Sequence, residues 1–293
     1  MQEKIGFIGL GIMGAPMAEN LLRAGVSLVV SDVAEAAVAR LTRQGAVWME
    51  PEQMAAECGV IFLMLPNGAI VKSVLFGEHG LAQYLQTGTL IVDMSSVSPI
   101  DSRACAERLE SAGMSFLDAP VSGGEEGAVK GSLAIMAGGS EESFQRAKPY
   151  FEILGAKATL VGSAGSGSIA KLVNQIIVNL NIAALAEAMV FAKKAGADPQ
   201  KIFEAIRGGL AGSQVMEDKA PRMIRRNFEP GGKIAINHKD IRNVLDTAHQ
   251  IDVPVPMSAS LFEMMQALKN GGYFQEDHSA LIRYFEQLAG LDS

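Results

Sequence analysis

Cysteine is nearly absent. Cys58 and Cys105 are the only two in 293 residues, far apart, which excludes a disulfide framework and a thiolate metal site. Four histidines, His79, His238, His249 and His278, fall at no close ligand spacing, so no metal centre is expected. Basic runs are missing as well. The chain carries 25 Lys and Arg against 32 Asp and Glu, a formal charge of −7, and its densest basic group is Arg222, Arg225 and Arg226. A solvated helix face explains those three, and nucleic acid is excluded as a main partner. No apolar run reads as a membrane span, and no basic leader precedes Lys4, so no membrane partner and a cytoplasmic location are expected. Fixed-period repeats and low-complexity segments are lacking too.

What is present is the material of an ordinary globular protein. Hydrophobic residues make up 48% and charged residues 19% of a length that fits one large or two ordinary domains. Lys4–Ile8 reads as a buried strand, Ala15–Ala24 as a helix, and Ser27–Ser31 as a second strand closed by Asp32. Between the first two lies Gly9-Leu10-Gly11-Ile12-Met13-Gly14. A lone GxGxxG is weak, but here it joins a strand to a helix inside a βαβ unit with an acid some twenty residues on. Gly9 makes the tight turn, Gly11 admits a pyrophosphate to the backbone, and Gly14 lets helix and strand pack closely. Asp32 is placed to accept from ribose hydroxyls. Its charge repels a 2′-phosphate, and Val33 cannot neutralise that phosphate, which favours NAD over NADP. Arg40 and Arg43 on the following helix leave NADP open.

The βα alternation continues through strands at Val60–Leu65, Thr89–Asp93, Met114–Asp118, Leu133–Ala137 and Ala158–Val161. Helices are expected from Pro99 to about Ala112 and from about Glu141 to Leu154. Ligands of such sheets lie beyond the carboxyl ends of the strands, which places Leu65, Pro66, Asn67 and Ser96 beside a nicotinamide ribose and ring. After the strand ending at Asp118, Ser122-Gly123-Gly124 offers a hydroxyl and backbone N–H groups to an anion, and a substrate carboxylate suits it.

From Gly162 onward the pattern is almost wholly helical, with further helices expected near 199–207, 214–225, 238–251, 255–269 and 278–290. The run from Ile169 to Ala184 is apolar on nearly every side, which predicts a buried helix. Its first turns nevertheless carry Lys171, Asn174 and Gln175 on one face. Buried polar groups need partners, so this trio reads as a working site. Which of Asn174 and Gln175 meets a substrate is open. The Ala-rich stretch 183–188 permits close helix approach, and a homodimer or homotetramer is expected.

Gly9–Gly14 with Pro16, Met17 and Asn20, Asp118-Ala-Pro-Val-Ser122-Gly-Gly124, Gly165-Ser-Gly167 with Lys171 and Asn174, and Lys239-Asp240 together resemble the β-hydroxyacid dehydrogenase family along essentially the whole chain. The resemblance implies an α/β Rossmann-type N-terminal domain over 1–162 and an all-α C-terminal domain over 163–293. It implies Lys171 as the catalytic residue, Ser122, Gly123 and Gly124 on the substrate carboxylate, and Ser96 and Lys239 on the cofactor. The substrate would be a small 3-hydroxy or 2-hydroxy-3-oxo acid, with 3-hydroxyisobutyrate- and threonate-type acids as near competitors. Many members carry asparagine where this chain has Gln175. A reading of another class is a dinucleotide-binding module without chemistry. Lys171 separates the two, since a pure binder needs no ammonium at the mouth of a long apolar helix.

Overall fold

The computed structural model describes residues 3–291. The chain forms two compact units that part between Lys171 and Leu172. In the first, β1 (Ile5–Ile8), α1 (Gly14–Arg23), β2 (Leu28–Ser31), α2 (Glu35–Thr42), β3 (Val47–Trp48), α3 (Pro51–Glu57) and β4 (Val60–Leu63) come first. They are followed by α4 (Gly68–Phe76), β5 (Leu90–Asp93), α5 (Pro99–Glu110), β6 (Ser115–Asp118), β7 (Val121–Ser122) and α6 (Gly124–Lys130). Then come β8 (Leu133–Gly138), α7 (Glu141–Leu154), β9 (Gly155–Gly162) and the start of α8 (Ser166–Lys194).

The strands order β3-β2-β1-β4-β5-β6 in parallel, and β8 joins β6 antiparallel through the pair Asp118 and Gly138. β7 lies antiparallel and β9 parallel on β8. Both faces of the sheet are covered, which is why β1, β2, β4 and β5 read as unbroken apolar runs rather than alternating ones. Alternate residues feed two cores: Phe7, Val30, Phe62 and Val92 on one side, Val29, Ile61, Leu63 and Ile91 on the other. The strand order reverses between β1 and β4, the point where such sheets take ligands.

The second unit is helical. The rest of α8 is joined by α9 (Pro199–Ile206), α10 (Gln214–Arg225), α11 (Ile234–Gln250), α12 (Pro256–Asn270) and α13 (Ile282–Leu288). Its core gathers Ile182, Leu185, Met189, Met223, Ile241 and Leu261.

Several expectations need correction. The helix expected at 238–251 begins at Ile234, and that expected at 278–290 is a 3₁₀ turn, His278–Leu281, followed by α13. The short β3, α3, β7 and α6 fall below the length at which periodicity speaks. Burial of α8 on all sides is also wrong: Val173, Ile177 and Phe191 are 51%, 57% and 75% exposed. The sequence shows hydrophobicity, not what covers it. By length and composition this helix is able to cross a membrane, contrary to expectation, but its Gln175 and Asn179 are buried within the protein, as in a core helix.

Candidate active site

The glycine turn follows β1 directly. Gly9 sits at φ +98°, and a Cβ there would meet Met64 O at 2.2 Å, so only glycine fits the turn. A Cβ on Gly14 would stand 1.8 Å from Gly9 O, which is the close approach that lets α1 start beneath the turn. Nothing lies within 4 Å of a Cβ on Gly11. Ile12 is half exposed and Met13 is half-buried at the helix entry. Asp32 joins this turn to the end of β2: its Oδ2 accepts from Leu10 N–H and its Oδ1 from Ala34 N–H at 2.7 Å. Val33 is fully exposed.

Leu65, Pro66 and Asn67 follow β4. Leu65 N–H donates to Ser95 Oγ at 2.8 Å, which ties the ends of β4 and β5 together. Asn67 caps α4, its Oδ1 accepting from Ile70 N–H at 3.0 Å. Pro66 is exposed and Ser96, in the loop after β5, is half-buried.

The glycine turn expected to receive an anion lies between β7 and α6. Gly123 and Gly124 take φ +135° and +61°, conformations that a side chain would strain. Ser122 stands half-buried before them. Lys171, also half-buried, donates from Nζ to Val121 O at 2.8 Å. The structure therefore brings the ammonium to the residue preceding Ser122.

Within the second unit, Gln175 is 6% exposed and its Nε2 donates to Asp240 Oδ2 at 2.7 Å and Asn237 Oδ1 at 3.2 Å. Its Oε1 accepts from Asn174 Nδ2 at 3.0 Å. Asn174 itself is only half-buried. Lys239 Nζ pairs with Asp240 Oδ1 at 3.2 Å. Gln175 is thus committed to the fold, while Asn174 rests on it.

Comparison with known proteins agrees with this layout. Residues 4–162 match the NAD binding domain of 6-phosphogluconate dehydrogenase. Residues 165–285 match the model described as "NAD-binding of NADP-dependent 3-hydroxyisobutyrate dehydrogenase". The chain is 47% identical to 2-hydroxy-3-oxopropionate reductase of Escherichia coli strain K12, covering 98% of both chains. It is 40% identical to 2-(hydroxymethyl)glutarate dehydrogenase of Eubacterium barkeri, over 98% of this chain and 96% of that one. The chain belongs to the β-hydroxyacid dehydrogenase family. The solved 3-hydroxyisobutyrate dehydrogenase of Mycobacterium tuberculosis, with L-serine, superposes at a TM-score of 0.90 and 32% identity, over 97% of this chain and 99% of that one.

As a β-hydroxyacid dehydrogenase the chain is an NAD(P)-dependent oxidoreductase, and its first βαβ unit fits the cofactor. The open space over Gly11 is the room a pyrophosphate needs, and α1 begins just beyond it, at the end of the helix whose dipole favours an anion. Residues that the sequence reading gave no role of their own also frame this dehydrogenase: Ser95 at the strand ends, and Asn237 and Asp240 behind Gln175. Asp240 had a signal in its place next to Lys239. Asn237 had none, because its partner lies 62 residues away.

Proposed function

We propose that this chain reduces 2-hydroxy-3-oxopropanoate (tartronate semialdehyde) to D-glycerate, with NADH preferred over NADPH. The observation that carries the chemistry is the 2.8 Å contact of Lys171 Nζ with Val121 O, immediately before the Ser122–Gly124 turn. In this reading Ser122 Oγ and the N–H groups of Gly123 and Gly124 hold the substrate carboxylate. Lys171 stabilises the negative charge that grows on the carbonyl oxygen and donates the proton that makes an alcohol. Asn174 holds the 2-hydroxyl, and Gln175 orients Asn174. Gly9, Gly11, Ile12, Met13, Gly14, Asp32, Leu65, Pro66, Asn67, Ser96 and Lys239 hold the cofactor, whose nicotinamide supplies the hydride when bound.

The choice of substrate is supported by the 47% identity to a 2-hydroxy-3-oxopropionate reductase over nearly the whole of both chains. A panel of semialdehydes and hydroxy acids, followed by NADH absorbance, tests it. Tartronate semialdehyde should give the highest kcat/KM; a higher value for threonate or 3-hydroxyisobutyrate overturns the substrate while leaving the family intact.

The same reading includes assembly as a homodimer or homotetramer. Val173 and Ile177, four residues apart on one face of α8, and Phe191 further along it need cover that one copy does not give them. Light scattering that reports only monomer at micromolar concentration overturns this. A cytoplasmic location accords with two free, buried cysteines.

A further inference from the structure

Asp118 ends β6 with no solvent exposure. A carboxylate so placed loses its hydration, and strong partners are needed to keep it ionised. Its Oδ1 accepts from Gly165 N–H at 2.7 Å and its Oδ2 from Ser168 N–H at 2.6 Å. Those groups belong to the approach and the first turn of α8, where peptide N–H groups have no partner within the helix. Ser168 Oγ, equally buried, lies 2.9 Å from Ser102 Oγ on α5. The backbones come close enough that a Cβ on Gly167 would stand 2.4 Å from Asp118 O and 2.3 Å from Met136 O. Further along the helix, Lys171 reaches Val121 O. The segment from Asp118 to Val121 therefore grips α8 twice, first by a carboxylate at the start of the helix and then by a carbonyl at the lysine.

We propose that Asp118 is a positioning residue: it fixes the start of α8 against β6, so that the Lys171 ammonium meets the turn formed by Ser122, Gly123 and Gly124. This rests on Lys171 being the proton donor. Lys171 stands three residues beyond Ser168 on a continuous helix, so a tilt at the anchor is carried to Nζ. A misplacement of about 1 Å costs on the order of a hundredfold in rate.

The anchor is also sensitive to pH. Burial pushes the Asp118 carboxyl up to about 6, against the Ser168 and Gly165 N–H groups and the Ser168 hydroxyl, which pull it down. A protonated carboxyl keeps one good acceptor oxygen and loses the charge that held both N–H groups. The ionisable neighbours are few. Asp93 lies in register on β5, Arg103 of α5 packs on Gly165, and Lys171 lies further along α8. Asp101 of α5 is paired with Lys72, and β8 brings no ionisable side chain.

The test is the pH profile of kcat for the wild type, Asp118→Asn and Ser168→Ala, with NADH binding measured on each. Wild-type kcat should fall below about pH 6. Ser168→Ala removes a hydrogen bond from the carboxylate and should move that acid limb to higher pH. Asp118→Asn should lower kcat by roughly a hundredfold, keep NADH affinity and show no acid limb. An Asp118→Asn enzyme that keeps the limb, or keeps more than about a tenth of kcat, overturns the proposal. Should that variant not fold, an unmoved limb in Ser168→Ala overturns it equally. Lys171→Ala assayed alongside separates the two readings. Full activity there removes Lys171 as donor, whereas its loss beside an unaffected Asp118→Asn removes only the anchoring role of Asp118.

Discussion

Glu19 Oε1 accepts from Arg40 Nε at 2.7 Å and from Gln44 Nε2 at 2.9 Å, so the arginine of α2 is tied back to α1. Arg43 Nε donates to Ala39 O of its own helix at 3.0 Å. Both arginines are engaged by protein neighbours, while the Asp32 carboxyl lies at the turn after β1 and Val33 is open to solvent. NADH should therefore give the higher kcat/KM, and Asp32→Ser with Val33→Arg should shift the preference toward NADPH. Kinetics with both cofactors check this. A wild-type preference for NADPH of about tenfold, or ~1.4 kcal/mol, contradicts it.

The two neighbouring amides should behave differently when removed. Gln175→Ala removes a buried amide that donates to Asp240 and Asn237, and should cost about 1–3 kcal/mol of stability. Asn174→Ala, half-buried, should leave the unfolding midpoint almost in place and lower kcat/KM for the substrate. Denaturant unfolding and steady-state kinetics on both variants decide it. The reverse pattern would make Gln175 the substrate contact.

How much of this was legible in the sequence follows from how far apart the partners lie. The Gly9–Gly14 turn and Asp32 are local and could be read with their reasons, and so could the Ser122–Gly124 turn. The parallel sheet followed by helices was legible from long apolar runs, because strands covered on both faces carry no alternation to confuse. The commitment of Gln175 was not legible: two amides one residue apart look alike until Asn237 and Asp240 arrive from α11. Nor was the exposure of Val173 and Ile177, since apolar composition does not say whether the same chain provides the cover.

A buried cluster in the second unit sets an acid limit on stability. Asp277 accepts from the N–H groups of Gly231 and Gly232 and lies 3.3 Å from Lys219 Nζ, with His278 packed beside it. Burial, then the Lys219 charge, lowers His278 to about 4, against an opposing pull from Asp277. With its folded pKa below the unfolded value near 6.5, the neutral ring contributes stability that is intact above pH 6.5 and is lost as pH falls toward 4. Between pH 7 and pH 5 the loss is roughly 2 kcal/mol. Denaturant unfolding at the two pH values should show it in the wild type and a smaller loss in His278→Gln. Equal losses would show that His278 does not set this limit.

The strongest test of the chemistry is the lysine. Its ammonium is held at Val121 O, within the first unit, while in the proposed reading the cofactor phosphates and ribose lie on the turn after β1 and on Asp32. Binding and proton transfer are therefore separable. Lys171→Ala should lose roughly three powers of ten in kcat, on the order of 4 kcal/mol, because the charge on the reduced oxygen goes unanswered. NADH affinity should stay near that of the wild type. Lys171→Arg should not restore the rate: a guanidinium keeps its proton at working pH, and its planar fork does not replace a compact ammonium at one carbonyl. Stopped-flow hydride transfer and NADH titration on the two variants give both quantities. If the alanine enzyme kept more than about a tenth of wild-type kcat, Lys171 would be a structural residue bound to Val121, and Lys239 the next donor to remove.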